Sequence, residues 1–326
     1  MAKEIDSNEM NLMLTVIKCY YEMGMNQEQI ARKEFISKSS VSRLIKKAIE
    51  NGYVTFQINY PVESIKILEE EFHRYFEVDK VFITPSYTED HDIRLRYTCN
   101  SASADLQKII KDGDIISVSW GTTMDQLASL LKPNANTKKN LKVVLMNGSI
   151  GGNISSTKSS QIVEKFAEVF GAEGYLLPAP LMVDKKEIAQ AISIDSHVRY
   201  VMDLAKKSEL AVVSIGALSP DSVLTRRGAY SKADYNEVLE LGAVGDIAGR
   251  CFDIGGEKVS EQVSERTIGL TLEDIKSKPV RIGIGVGRKK ARAIIGALRG
   301  KIINRIFTDE VTAKEVIMTL KNTLNK

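Results

Sequence analysis

Five places in the chain carry residue types suited to holding an anion or a polyhydroxy ligand. Gly121-Thr122-Thr123 follows the run Ile116-Ser117-Val118-Ser119-Trp120 and precedes a helical pattern through Met124, Leu127, Ala128 and Leu131. Helix-start N–H groups, two hydroxyls and a residue without a Cβ make a cradle for phosphate, unless a threonine simply caps the helix. Asn147-Gly148 closes the run Val143 to Met146; its amide donates and accepts toward hydroxyls, or the pair forms a turn, since Asn-Gly favours positive φ. The Asp246 carboxylate accepts from two hydroxyls at once, or caps a helix, or pairs with Arg250. Arg227, in Thr225-Arg226-Arg227-Gly228, suits bidentate contact with phosphate or is a solvated loop cation, and which of the two arginines turns inward is open. Lys276 to Arg305 holds ten cations and no acid. In its middle, strand Arg281 to Val286, a small-residue loop through Gly287 and a helix from Arg288 bring helix-start N–H groups and lysines, Lys290 among them, toward an anion; the other cations fit a solvated face equally well.

A different chemistry lies near the N-terminus. Leu12, Ile17, Tyr20 and Tyr21 recur at helical spacing up to Gly24, and Asn26 is suited to cap a short second helix carrying Ile30 and Ala31. Ser37 caps a third, in which Val41, Leu44, Ile45, Ala48 and Ile49 form one apolar face and Gly52 marks the end. Opposite stand Lys38, Arg43, Lys46 and Lys47, with Ser39, Ser40 and Ser42 near the helix start. Two helices joined by a short turn, the second led by hydroxyls and cations, match insertion into a DNA major groove, where helix N-terminal residues reach base edges and cations meet phosphates. Ser37, Lys38, Ser39, Ser40, Ser42, Arg43 and Lys46 are the candidate DNA contacts.

The chain has 326 residues, enough for two cores, and its 43% hydrophobic and 27% charged composition is that of an ordinary globular protein. A net charge of +3 implies no nucleic-acid binding by itself, so that reading rests on local distribution. Cys19, Cys99 and Cys251 are odd in number and scattered, which fits reduced thiols, and MAKEIDSNEM lacks the apolar core of a secretory signal; a cytoplasmic address follows. Leu210 to Leu218 is too short to span a membrane. Val54 to Tyr60 reads as a short strand ended by Pro61, and Ser64 to Tyr75 as an amphipathic helix packing on either domain or on a second subunit. The expected organisation is a DNA-binding domain over 1–60, a linker and helix over 61–79, and a ligand domain over 80–326. In the last, Val81 to Thr84, Ile115 to Trp120, Val143 to Met146, Leu210 to Ile215, Val280 to Val286 and Ile302 to Thr308 alternate with helical stretches, predicting an α/β domain with a doubly wound, mainly parallel sheet. Ligands then bind beyond the carboxyl ends of strands.

Tyr20-Tyr21, Gln27 to Ala31 and Ser37 to Leu44 resemble the helix-turn-helix of the SorC family of bacterial transcriptional regulators. One departure is Glu34-Phe35, where that family has an apolar residue and then glycine, leaving room for a turn of different shape. The segments Ser119 to Thr123, Leu177 to Pro180, Gly242 to Asp246 with Arg250 and Phe252-Asp253, and Ala297 to Gly300 with Thr308 to Glu310 are similar to the family's in the same order. The resemblance implies an effector domain folded like sugar-phosphate isomerases and deaminases, binding a phosphorylated sugar and controlling a carbohydrate operon. By position it assigns Gly121, Thr122 and Thr123 to phosphate, and Asn147, Gly148, Asp246 and Lys290 to the pocket. It also implies a homo-oligomer, dimer or tetramer. The alternative is an isomerase- or deaminase-like enzyme fused to the DNA module, with Asp246 as acid and base.

Gly296 to Lys301 has three residues between its glycines and lacks a following Ser or Thr, so it is no nucleotide loop. His73, His91 and His197 stand apart from each other and from the cysteines; neither metal nor other cofactor is expected, and no catalytic residues are assigned.

Overall fold

The computed structural model describes residues 7–54, 63–132, 138–150, 158–220, 222–226 and 228–324. Two compact units divide the chain at Pro61 and Val62.

In the first unit α1 (Ser7–Ile17) continues through a π-helical turn (Lys18–Glu22), followed by α2 (Gln27–Lys33) and α3 (Lys38–Glu50). Asn26 Oδ1 accepts from Glu28 N and Gln29 N, while Gln29 Oε1 accepts from Asn26 N, so side chains satisfy the free donors of α2. Ser37 Oγ does the same for α3 by accepting from Ser40 N at 3.1 Å. The core is Met13, Val16, Cys19, Ile30, Val41, Leu44, Ile45 and Ala48, the inward stripes of all three helices.

The turn keeps a glycine-like shape without a glycine. Phe35 sits at φ +54°, and beyond it Ile36 N donates to Ala31 O at 3.0 Å, closing α2 as a left-handed C-terminal cap. The left-handed conformation costs an L-residue about 1–2 kcal/mol. It is held because otherwise the Ala31 carbonyl loses its partner and Ile36 its place against the core. Most of the predicted strand Val54 to Tyr60 lies outside the described residues.

The second unit begins with α4 (Glu63–Tyr75). Ile65, Leu68 and Phe72 are buried in one cluster with Ile306 and Val316, so the helix expected within the linker is integral to the large unit. Ten strands follow among the described residues: β1 (Lys80–Thr84), β2 (Ile115–Val118), β3 (Lys142–Leu145), β4 (Glu173–Tyr175), β5 (Leu210–Ser214), β6 (Gly216–Ala217), β7 (Gly245–Ile247), β8 (Arg250–Phe252), β9 (Val280–Ile284) and β10 (Arg305–Asp309). The main sheet is parallel throughout, ordered β1-β10-β9-β5-β2-β3-β4, and β6-β7-β8 form a small antiparallel sheet. Alternate residues of one strand serve opposite layers: Ala211 and Val213 join one hydrophobic cluster, Leu210 and Val212 the other. This two-sided burial explains why the central strands read as unbroken apolar runs. The edge strand β4, Glu173-Gly174-Tyr175, and the short β6–β8 carry no such run and are not expected from the sequence.

Candidate functional site

From β2 the chain winds outward to β3 and β4, then returns to β5 on the other side of β2 and proceeds to β9 and β10. The reversal opens a crevice beyond the carboxyl ends of β2 and β5, where open α/β sheets bind ligands. A cavity of about 440 Å³ lies there, walled by segments following β2, β3, β5 and β9 and by the β7–β8 hairpin.

The loop after β2 delivers Gly121, Thr122 and Thr123 to the start of α6 (Thr122–Leu130). Gly121 is the cap residue at φ +127°, and no side chain among the described residues caps this helix, so threonine capping is not what these residues do. The loop after β9 presents a second such start: Gly287 at φ +115°, a 3-10 turn Arg288–Lys290, then the helix Ala291–Arg299, again without a side-chain cap. Two helix starts without side-chain caps, each with its positive end, thus meet at one cavity.

Asp246 and Lys290 supply opposite charges to the same walls. Asp246 stands on β7, packed so closely on Gly216 that a Cβ there would strike its Oδ1. Burial pushes its carboxyl up to about 6, against the pull of Gly249 N–H and Lys290. Burial likewise lowers the Lys290 ammonium, opposed by Asp246 and Cys99. Arg250 does not pair with Asp246: its guanidinium donates to the carbonyls of Ser264, Thr267, Gly269 and Leu270 and pins that segment beside the hairpin. Ala248, at φ +54°, and Gly249, at φ +80°, form the tight hairpin turn that brings Asp246 into the cavity.

Asn147 and Gly148 form no turn; neither takes positive φ, and Asn147 bridges to Gly269, which comes too close for any side chain at that glycine. Asn147 is 2% exposed and lines the cavity, and its Oδ1 has no hydrogen-bond partner among the described residues. A buried acceptor of this kind calls for a donor from a ligand or solvent. Gly148, beside it, is packed against the chain: a Cβ there would strike the Pro180 carbonyl, and its own carbonyl accepts from Trp120 Nε1 at 2.8 Å. It locks the end of β3 to the end of β2.

The structure therefore brings Gly121, Thr122, Thr123, Asn147, Asp246 and Lys290 together. Arg227 lies outside the described residues. The cationic stretch proves dispersed: Lys278 is buried and donates to the Lys206 carbonyl, Arg305 pairs with Asp105 at 2.9 Å and Lys301 with Glu77 at 2.6 Å. Sequence reasoning misses His91, whose ring lies beside Gly287, and Ser214 and Ser222 on the walls. Ser214 had a signal, since it ends a central strand; His91 had none, being brought in by the start of α5 (His91–Ile109) from the far end of the sheet order.

On the first unit Ser37, Lys38, Ser39, Ser42, Arg43 and Lys46 are exposed and Ser40 half-buried. Ser37 Oγ lies 2.8 Å from Ser39 Oγ and Arg43 Nη2 donates to Ser40 Oγ, so hydroxyls and guanidinium cluster at the head of α3. Among the described residues no helix is long and apolar enough to cross a membrane, and no group of His, Cys, Asp and Glu could hold a metal ion.

A helical unit with a polar, cationic helix joined to a parallel-sheet unit with a switch-point cavity defines a ligand-responsive regulator architecture. The Sugar-bind family, a sugar-binding domain, matches residues 60–318. The deoxyribonucleoside regulator of Bacillus subtilis (strain 168) is 33% identical over 322 residues, covering 97% of this chain and 100% of that protein. The sorbitol operon regulator of Klebsiella pneumoniae is 26% identical over 309 residues, 95% of this chain and 98% of the relative. The crystal structure of full-length sorbitol operon regulator SorC from Klebsiella pneumoniae superimposes with a TM-score of 0.79 at 26% identity, covering 97% of this chain and 100% of that one. The chain belongs to the SorC family of sugar-binding transcriptional regulators. These relatives are regulators of transcription, not enzymes.

Proposed function

We propose that this protein binds operator DNA of a carbohydrate-metabolism operon through α3 and that a phosphorylated sugar in the switch-point cavity modulates that binding. The phosphate sits on the N–H groups of Gly121, Thr122 and Thr123 and on the threonine hydroxyls, with Lys290 as counter-charge. Asp246 and Asn147 take the sugar hydroxyls. The observation that carries this reading is the juxtaposition of two uncapped helix starts with a cation, a carboxylate and an unpartnered buried acceptor in one cavity. The protein acts in the cytoplasm as a homo-oligomer, since paired helix-turn-helix units match paired half-sites on one face of DNA.

The names of the relatives, deoxyribonucleoside and sorbitol operon regulators, define a panel of pentose, deoxypentose and hexitol phosphates with their free sugars. Thermal unfolding of the full chain is followed with each compound, because a ligand of the native state stabilises by RT ln(1 + [L]/Kd). One phosphorylated compound is expected to raise the melting temperature in a concentration-dependent way, and the Thr122→Val/Thr123→Val double variant to lose that response. An unaltered response in the double variant refutes the phosphate assignment.

A further inference from the structure

We propose that Phe35 is a DNA-contact residue that meets the 5-methyl group of a thymine beside the bases reached by α3, an inference that rests on the operator-binding reading above. Its side chain is 95% exposed, the most exposed of the large apolar residues described. The adjoining Ile36 packs against the core of the first unit, while Phe35 takes no part in it. The ring therefore contributes no burial to the fold.

The backbone beneath that ring is strained as well. Phe35 occupies the left-handed position closing α2, where glycine or asparagine fits and an aromatic residue does not. A residue that adds strain and buries nothing is unfavourable for stability on both counts, and such departures concentrate at functional positions.

Location and charge identify the partner. Phe35 lies two residues before Ser37, the cap of α3, and so within about 7 Å of it along the chain. From Arg32 to Lys47 there are six cations and one acid, Glu34. A segment with a net excess of cations and one fully exposed apolar ring fits a polyanion that itself displays isolated apolar groups. In the major groove that group is the thymine methyl, and Phe is among the side chains that contact it.

The test uses a duplex selected by the full-length protein from a random-sequence library, with affinities measured by fluorescence anisotropy. Phe35→Gly and Phe35→Asn both suit a left-handed backbone, so both are expected to melt at or above the parent temperature. Both are nevertheless expected to bind the selected duplex about tenfold more weakly. Replacing thymines by uracil one at a time should find one position where the parent protein loses a similar factor and the two variants lose nothing further. Parent-like affinity in both variants, or equal sensitivity of parent and variants to every uracil, overturns the proposal. So does a lowered melting temperature in both variants, which makes Phe35 a folding residue. If the parent protein selects no sequence from the library, the operator-binding reading fails first and takes this proposal with it.

Discussion

Under the proposed assignment, the Asp246 carboxylate bears on both stability and ligand affinity. Its carboxyl titrates near 3.8 when unperturbed and at about 6 in the folded protein, so the native state holds the proton more tightly. Stability from this group is fully present below about pH 4 and declines as pH rises through about 6, above which the ionised form costs up to about 3 kcal/mol. Asp246→Asn is expected to stabilise the ligand-free protein at pH 7.5 by about 2 kcal/mol in urea unfolding. The same substitution should weaken effector binding, because a carboxylate accepts from two hydroxyls where an amide oxygen must share with an amide donor. In the parent protein effector affinity should fall as pH drops from 7 to 5. A variant that is less stable at pH 7.5, with unchanged effector affinity, contradicts the assignment.

Among the elements, the two cavity loops are held by pieces distant in the chain. Arg94 on α5 pairs with Asp309 at the end of β10 at 2.6 Å, with side chains 8% and 0% exposed. Asp309 accepts from Thr312 Oγ1, which in turn accepts from Gly287 N at 2.7 Å, so the buried pair fixes the start of the second cavity loop. Removing one charge of a buried pair strands the other. Asp309→Asn is therefore expected to destabilise the protein by about 3 kcal/mol in urea unfolding and to weaken effector binding beyond what the lost stability explains. A change below about 0.5 kcal/mol would show that the guanidinium finds other partners. Neither residue stood out in the sequence, where Arg94 is one cation among many and Asp309 one part of a family segment. What was legible were residues whose meaning is local: strands buried on both faces, the caps Asn26 and Ser37, and Gly121 to Thr123 directly after a strand. Partners supplied by tertiary approach were not, such as the Arg250 carbonyl clasp, the Gly148–Pro180 contact and His91 beside Gly287. The turn at Phe35 took the unfavourable conformation because capping α2 and burying Ile36 outweigh about 1–2 kcal/mol of backbone strain.

Taken whole, the chain joins a helical unit carrying the cationic helix α3 to a sheet unit with a cavity at its switch point. A ligand in the second unit alters DNA affinity only if it binds the DNA-competent and incompetent states with different strength, and the coupling is reciprocal. The direct measurement is anisotropy titration of the selected duplex with full-length protein, with and without a saturating concentration of the phosphorylated sugar that stabilises it. The dissociation constant is expected to change by about 5- to 150-fold with effector, and to stay fixed in the Thr122→Val/Thr123→Val variant. An identical dissociation constant with and without saturating effector in the parent protein would contradict effector control of operator binding.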